Sequence, residues 1–175
     1  MTRGVLVIDI QQDYFPGGAH PLVEPDAAAT VARSVVDQAR GRGEWVGHIQ
    51  HQATEPGSTF LVAGTPGGEI HPLLAPIDGE QVITKQAPNS FVGTGLADTL
   101  TAQGIDELTV VGMMSSMCVD ATVRAAIDLG LSVTVVENAC AAPDLTFHGT
   151  VIPGRTVHAA FMAALGDAGA HVVSA

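Results

Sequence analysis

Cysteine is scarce in this chain: Cys118 and Cys140 are the whole complement among 175 residues, and no CxxC pair occurs. Two cysteines are too few for a disulfide framework and fit a reducing compartment. Positive charge is scarce too. Seven basic side chains face 18 acidic ones, for a formal net charge of -11. A surface that acidic repels phosphate backbones and anionic lipids, so neither nucleic acid nor a membrane surface is an expected partner. No basic start followed by a long apolar run is present, so neither a signal peptide nor a membrane span is read, and a cytoplasmic location is expected. No GxGxxG follows the first apolar run, which argues against a dinucleotide cofactor. No internal repeat or linker divides residues 1–175, so they are read as a single domain.

What is present is an alternation of short apolar runs and amphipathic stretches. Residues 4–8 (GVLVI), 45–49 (WVGHI), 81–84 (QVIT), 108–113 (LTVVGM), 131–136 (LSVTVV) and 170–173 read as strands. Helices are predicted over 26–42 with Asp26 as N-cap, over 94–103 ending at Gly104, over 116–129 ending at Gly130, and over about 155–165. Residues 51–79, rich in Gly and Pro, are predicted as one long functional loop. Strands alternating with helices predict a three-layer α/β/α architecture on a mostly parallel, doubly wound sheet of six strands. In such sheets the site lies beyond the carboxyl ends of the strands, at the switch in strand order.

Three chemically distinctive residues stand at those ends. Asp9 follows GVLVI directly. Lys85 follows QVIT and is the only lysine in a chain whose other six cations are arginine, which suggests a need for a compact ammonium. Cys118 follows LTVVGM in the first turn of a predicted helix, where backbone N–H groups favour a thiolate. Cys140, in the small-residue stretch NACAAP, has no obvious activator and reads as a buried structural cysteine. A cysteine nucleophile needs a base. The ordinary pKa gap between Asp and Cys is about 4.6 units, roughly 6 kcal/mol against proton transfer. Burial of Asp9 would raise its pKa, while Lys85 and the helix end would lower that of Cys118, and both shifts would narrow the gap.

The segments around these residues resemble the isochorismatase-like cysteine hydrolases, the nicotinamidase-related amidohydrolases. VIDIQQDYFPGGA is similar to the family's first-strand motif, VITKQAPNSFVGTGL to its lysine segment, and VVGMMSSMCVDATVRAA to its nucleophile segment. The resemblance implies a six-stranded parallel sheet and frequent homo-oligomers. It also implies Asp9 as general base and acid, Lys85 as electrostatic partner and Cys118 as nucleophile. Hydrolysis of a small amide or related C–N substrate would then run through a thioester, with backbone N–H groups at Cys118 and near Met114–Ser115 holding the oxyanion, and with a cis peptide between Met114 and Ser115. Cys118 argues against a true isochorismatase, which lacks that nucleophile.

Nicotinamidases bind a metal through an Asp-x-His motif after the second strand; this chain has HIQHQ there. His48 and His51, three apart in strand-like chain, should point to opposite faces, so a three-His site with His71 is not expected and no metal or cofactor is assigned. His48 reads as structural and His51 as a pocket residue. With aromatics at only 4% of the chain, Phe15 and Phe91 beside the motifs are the best candidates for an apolar pocket wall. His158 reads as a packing or capping histidine. Asn138 stands where the resemblance favours aspartate, a change expected to alter local hydrogen bonding only. The rival readings are a non-catalytic small-molecule-binding module on the same fold, and a thiol redox protein using Cys118 and Cys140.

Overall fold

A computed structural model describes residues 2–175. Six strands, β1 (Thr2–Ile8), β2 (Trp45–His51), β3 (Gln81–Lys85), β4 (Ile105–Met113), β5 (Ser132–Ala141) and β8 (His171–Val173), form one sheet in the order β3-β2-β1-β4-β5-β8. Every neighbouring pair is parallel. The order reverses direction between β1 and β4, so the crevice that doubly wound sheets use for ligands opens beyond Ile8 and Met113.

The period of two along β1 shows why both faces must be covered. Val5 and Val7 join the core under helix α1 (Pro25–Arg42), while Leu6 and Ile8 join the core under α2 (Leu96–Ala102), α3 (Asp120–Asp128) and α4 (Gly154–Asp167). The inner stripe of α1 is mostly alanine (Ala28, Ala29, Ala32, Ala39) with Val35 and Val36, and it packs closely on the sheet. Gly112 lets β4 approach β1: with φ at +147°, a Cβ there would lie 2.2 Å from the carbonyl oxygen of Ile8.

Several local features differ from the sequence expectation. Helix α1 begins at Pro25, not at an Asp26 cap; Glu24 is the flanking residue and offers no side-chain cap, because proline's fixed φ already suits the first helical position. The Cys118 segment opens with a π-helical turn, Ser115–Val119, before α3 begins. β5 runs to Ala141, five residues past the apolar run, because Cys140 and Ala141 still pair with Gly112 and Met113. An antiparallel hairpin, β6 (Leu145–Phe147) and β7 (Thr150–Ile152), was not legible, since its apolar side chains are exposed and leave no one-sided pattern. Residues 51–79 carry two short 3₁₀ turns, Pro66–Gly68 and Pro72–Leu74. The cis peptide lies between Met113 and Met114, one bond earlier than Met114–Ser115. Sheet pairing with β5 holds through Met113, so the chain changes course at the next bond, and Met114 already serves as the residue before the helical turn.

Candidate active site

Asp9 leaves β1 with φ at +49°, a left-handed conformation that aspartate tolerates better than most residues, and its N–H is tied to Ile49 O at 3.1 Å. Its side chain is wholly buried. Lys85 ends β3 in register with His51 at the end of β2, so both side chains leave the same face of adjacent strands. Lys85 Nζ lies 2.7 Å from Asp9 Oδ2, and neither side chain has solvent exposure. The ammonium also meets Ala87 O at 3.0 Å, Pro88 O at 3.2 Å and His51 Nδ1 at 3.3 Å. From the far side of the switch point, the π turn brings the buried Cys118 to the same place. Carboxylate, imidazole and thiol atoms of Asp9, His51 and Cys118 all lie within 4.8 Å of one another.

The electrostatics follow from burial. Desolvation raises the Asp9 carboxyl above its ordinary range, although Lys85 opposes the shift. Cys118 differs from expectation: burial, with the Asp9 charge beside it, pushes its thiol up to about 12, and Lys85 offsets only part of this. Cys118 therefore rests as a thiol. Burial and then the Lys85 charge lower His51 to about 4, so its ring is neutral and its Nδ1 accepts from the ammonium. Tyr14, wholly buried, keeps its phenol proton, because burial and then the Asp9 charge raise its pKa.

Gln11 and Asp13, which the sequence did not single out, organise this region. Gln11 Nε2 donates to His51 O at 2.9 Å and to Gly68 O at 2.7 Å, and His51 N donates to Gln11 Oε1 at 2.8 Å. Asp13 accepts from Ala19 N at 3.0 Å and Leu61 N at 2.7 Å, pinning the long loop against β1. Their one available signal was position, two and four residues after Asp9 in a chain segment that leaves the sheet.

His48, His51 and His71 are not brought together. His48 points to the other face, where its Nε2 lies 2.8 Å from Glu80, and His71 stacks on Phe15 with ring centroids 3.9 Å apart. A catalytic metal held by three histidines therefore does not fit this site. The Asp9, His51 and Cys118 set has metal-ligand chemistry, but the Lys85 ammonium stands at two of its three members, so a cation would have to displace it. Phe15 is buried in the α1-side core and Phe91 is half-buried beside Ser90. An open cavity of about 610 Å³ borders the ends of β2 and β3, lined in part by Gln52, Lys85, Gln86 and Val92. Asn138 bonds the chain end in both directions, donating to Ala175 O and accepting from Ala175 N, a pairing aspartate could not complete.

The switch point of this doubly wound sheet gathers a thiol, a carboxylate and an ammonium, within the three-layer α/β architecture of the isochorismatase-like hydrolases. Residues 3–175 match the isochorismatase domain, and the chain belongs to the isochorismatase family. It is 46% identical to the isochorismatase family protein YddQ of Bacillus subtilis, over 94% of this chain and 92% of that protein. It is 33% identical to a maleamate amidohydrolase of Pseudomonas putida, over 76% of this chain and 69% of that protein. The crystal structure of an isochorismatase from Pseudomonas putida KT2440 superposes with a TM-score of 0.93 at 36% identity, covering 98% of this chain and 87% of that one. The chain is thus a hydrolase of the isochorismatase family.

Proposed function

We propose that this protein hydrolyses a small amide through a thioester on Cys118, with Asp9 as the proton carrier and Lys85 as its electrostatic partner. The observation that carries the proposal is the juxtaposition of Asp9 and Cys118 within 4.8 Å, in a site where the Asp9 pKa is raised and the Lys85 ammonium is at hand.

The chemistry is as follows. With the thiol near 12 and the carboxyl raised, full ionisation of Cys118 ahead of attack is costly. Proton transfer from Sγ to Asp9 accompanies attack on the amide carbonyl, so charge passes to the carbonyl oxygen instead of resting on sulfur. The first N–H groups of the Ser115–Val119 turn have no intrahelical acceptor, and with the Cys118 N–H they supply donors for that oxyanion. Asp9, now protonated, hands its proton to the leaving nitrogen. Water then adds to the thioester carbonyl, with Asp9 again taking the proton; the C–S bond breaks, Asp9 returns its proton to Cys118 Sγ, and the acid departs. Lys85 keeps the carboxylate form of Asp9 accessible, which burial alone would suppress. Neutral His51, beside the ammonium, serves as a wall of the substrate pocket; Phe15 and Phe91, expected there from the sequence, pack instead against the cores on opposite faces of the sheet.

The test is a panel of small amides scored by released ammonia or amine, with Cys118→Ala as control. Turnover of at least one amide by the parent and none by Cys118→Ala is expected. An amide hydrolysed equally well by both proteins contradicts the proposal.

A further inference from the structure

We propose that His158 is a positioning residue: through Ser115 it fixes the turn that presents Cys118. The proposal rests on Cys118 being the nucleophile.

Ser115 opens that turn and is wholly buried. Its hydroxyl lies 2.8 Å from His158 Nδ1 on α4. His158 Nε2 lies 3.3 Å from Glu137 Oε2 on β5, and the other oxygen of Glu137 accepts from the Ser174 hydroxyl at 2.5 Å. The directions of these bonds follow from what each group can do. A carboxylate can only accept, so Nε2 carries a proton facing Glu137. In that tautomer Nδ1 accepts the hydroxyl proton of Ser115. The side chain of Ser115 is locked by that bond.

Cys118 is three residues on. The carbonyl of Met114, just before Ser115, accepts from Met117 N at 3.1 Å and Val119 N at 3.2 Å, so the backbone on both sides of Cys118 is keyed to the start of the turn. A swing at Ser115 therefore carries Sγ away from Asp9. Among the described residues, His158 makes its side-chain hydrogen bonds to Ser115 and Glu137. Its outer side lines a separate cavity of about 310 Å³ with Glu24, Glu137, Asn138 and Arg155, none of which belongs to the catalytic cluster.

The experiment is alkylation of Cys118 by iodoacetamide, itself a small primary amide, followed by mass spectrometry on the Cys118 peptide in the parent, His158→Leu, His158→Asn, Ser115→Ala and Ser115→Ala/His158→Leu. Asparagine keeps an acceptor where Nδ1 stood; leucine keeps bulk and loses the acceptor. Because a thiol displaced from Asp9 loses its proton acceptor, alkylation in His158→Leu falls at least about fivefold, while His158→Asn stays within about twofold of the parent. Ser115→Ala matches His158→Leu, and the double variant is no slower than either. A residue that served only packing would behave oppositely: its loss would loosen the fold, expose the thiol and speed alkylation. Unchanged or faster alkylation in His158→Leu, or a slower rate in His158→Asn than in His158→Leu, overturns the proposal. Alkylation needs no hydrolysis, so this outcome is separate from whether Cys118→Ala abolishes turnover.

Discussion

Lys85 Nζ stands 2.7 Å from Asp9 Oδ2, with both side chains fully buried. The ammonium is shared with Ala87 O, Pro88 O and His51 Nδ1, so it does not serve the carboxylate alone. Its charge stabilises the carboxylate and leaves lone pairs of Asp9 for the thiol. Arginine could not reproduce this. Its planar fork would grip both oxygens of Asp9, lower the carboxyl pKa and add bulk where the lysine side chain is fully buried. Lys85→Arg is expected to fold and to lose roughly a hundredfold or more in kcat. Steady-state kinetics beside a circular dichroism spectrum check this; a rate near that of the parent would reduce Lys85 to a bystander.

The clamp by which Gln11 holds the backbone of His51 makes a second prediction. Three backbone groups, His51 N, His51 O and Gly68 O, bond this one buried amide, and Gly68 O has a second donor in Gln50 Nε2 at 2.9 Å. Gln11→Leu takes this partner from both His51 groups and is expected to cost about 1–3 kcal/mol of stability. It should also lower activity, because His51 and the loop beyond it are no longer registered on β1. Urea denaturation measures the first effect; an unchanged midpoint would show that water replaces the amide without penalty.

Glu80 links the acid stability of the fold to the far side of β2. Burial pushes its carboxyl up, but hydrogen bonds from Arg40, the Ile77 N–H and His48 outweigh it and bring the pKa down to about 2. A lowered folded pKa means that the unfolded chain binds the proton more readily. The stabilisation is then present above about pH 4.5 and is lost as pH falls towards 2, with a size on the order of 2–3 kcal/mol. Glu80→Gln should lower stability at pH 7 and flatten the acid limb of the stability curve over that window. Parallel acid limbs in the two proteins would contradict this.

Activity is expected to survive exhaustive chelation, since His48 is turned to Glu80 and the Lys85 ammonium stands among Asp9, His51 and Cys118. Loss of turnover after dialysis against a chelator, restored by zinc or manganese, would show a metal in the reaction.

Much of this was legible before any coordinates, and the reasons are specific. GVLVI and LTVVGM announce buried strands because both faces of the sheet are covered, and the residues directly after each run are then forced to the switch point. Asp9 and Cys118 were found in that way, and Lys85 by its singularity. The opposite orientation of His48 and His51 followed from the period of a strand. What stayed hidden depends on contacts distant in sequence. Ser115, Glu137 and His158 are separated by 21 to 43 residues along each bonded pair, and no local pattern marks them as partners. Gln11 looks like any polar residue after a strand until the loop at Gly68 folds back over it. The pKa of Cys118 was expected to fall, but the depth of its burial outweighs the turn and the ammonium.

The central claim is that Cys118 becomes acylated during turnover. Intact-protein and peptide mass spectrometry of samples acid-quenched while hydrolysing an amide from the panel tests it directly. An adduct of the substrate's acyl mass on the Cys118 peptide, absent from Cys118→Ser and accumulating when Asp9→Asn slows its release, is the predicted result. Steady hydrolysis with no adduct on Cys118, together with undiminished turnover by Cys118→Ala, would contradict the account.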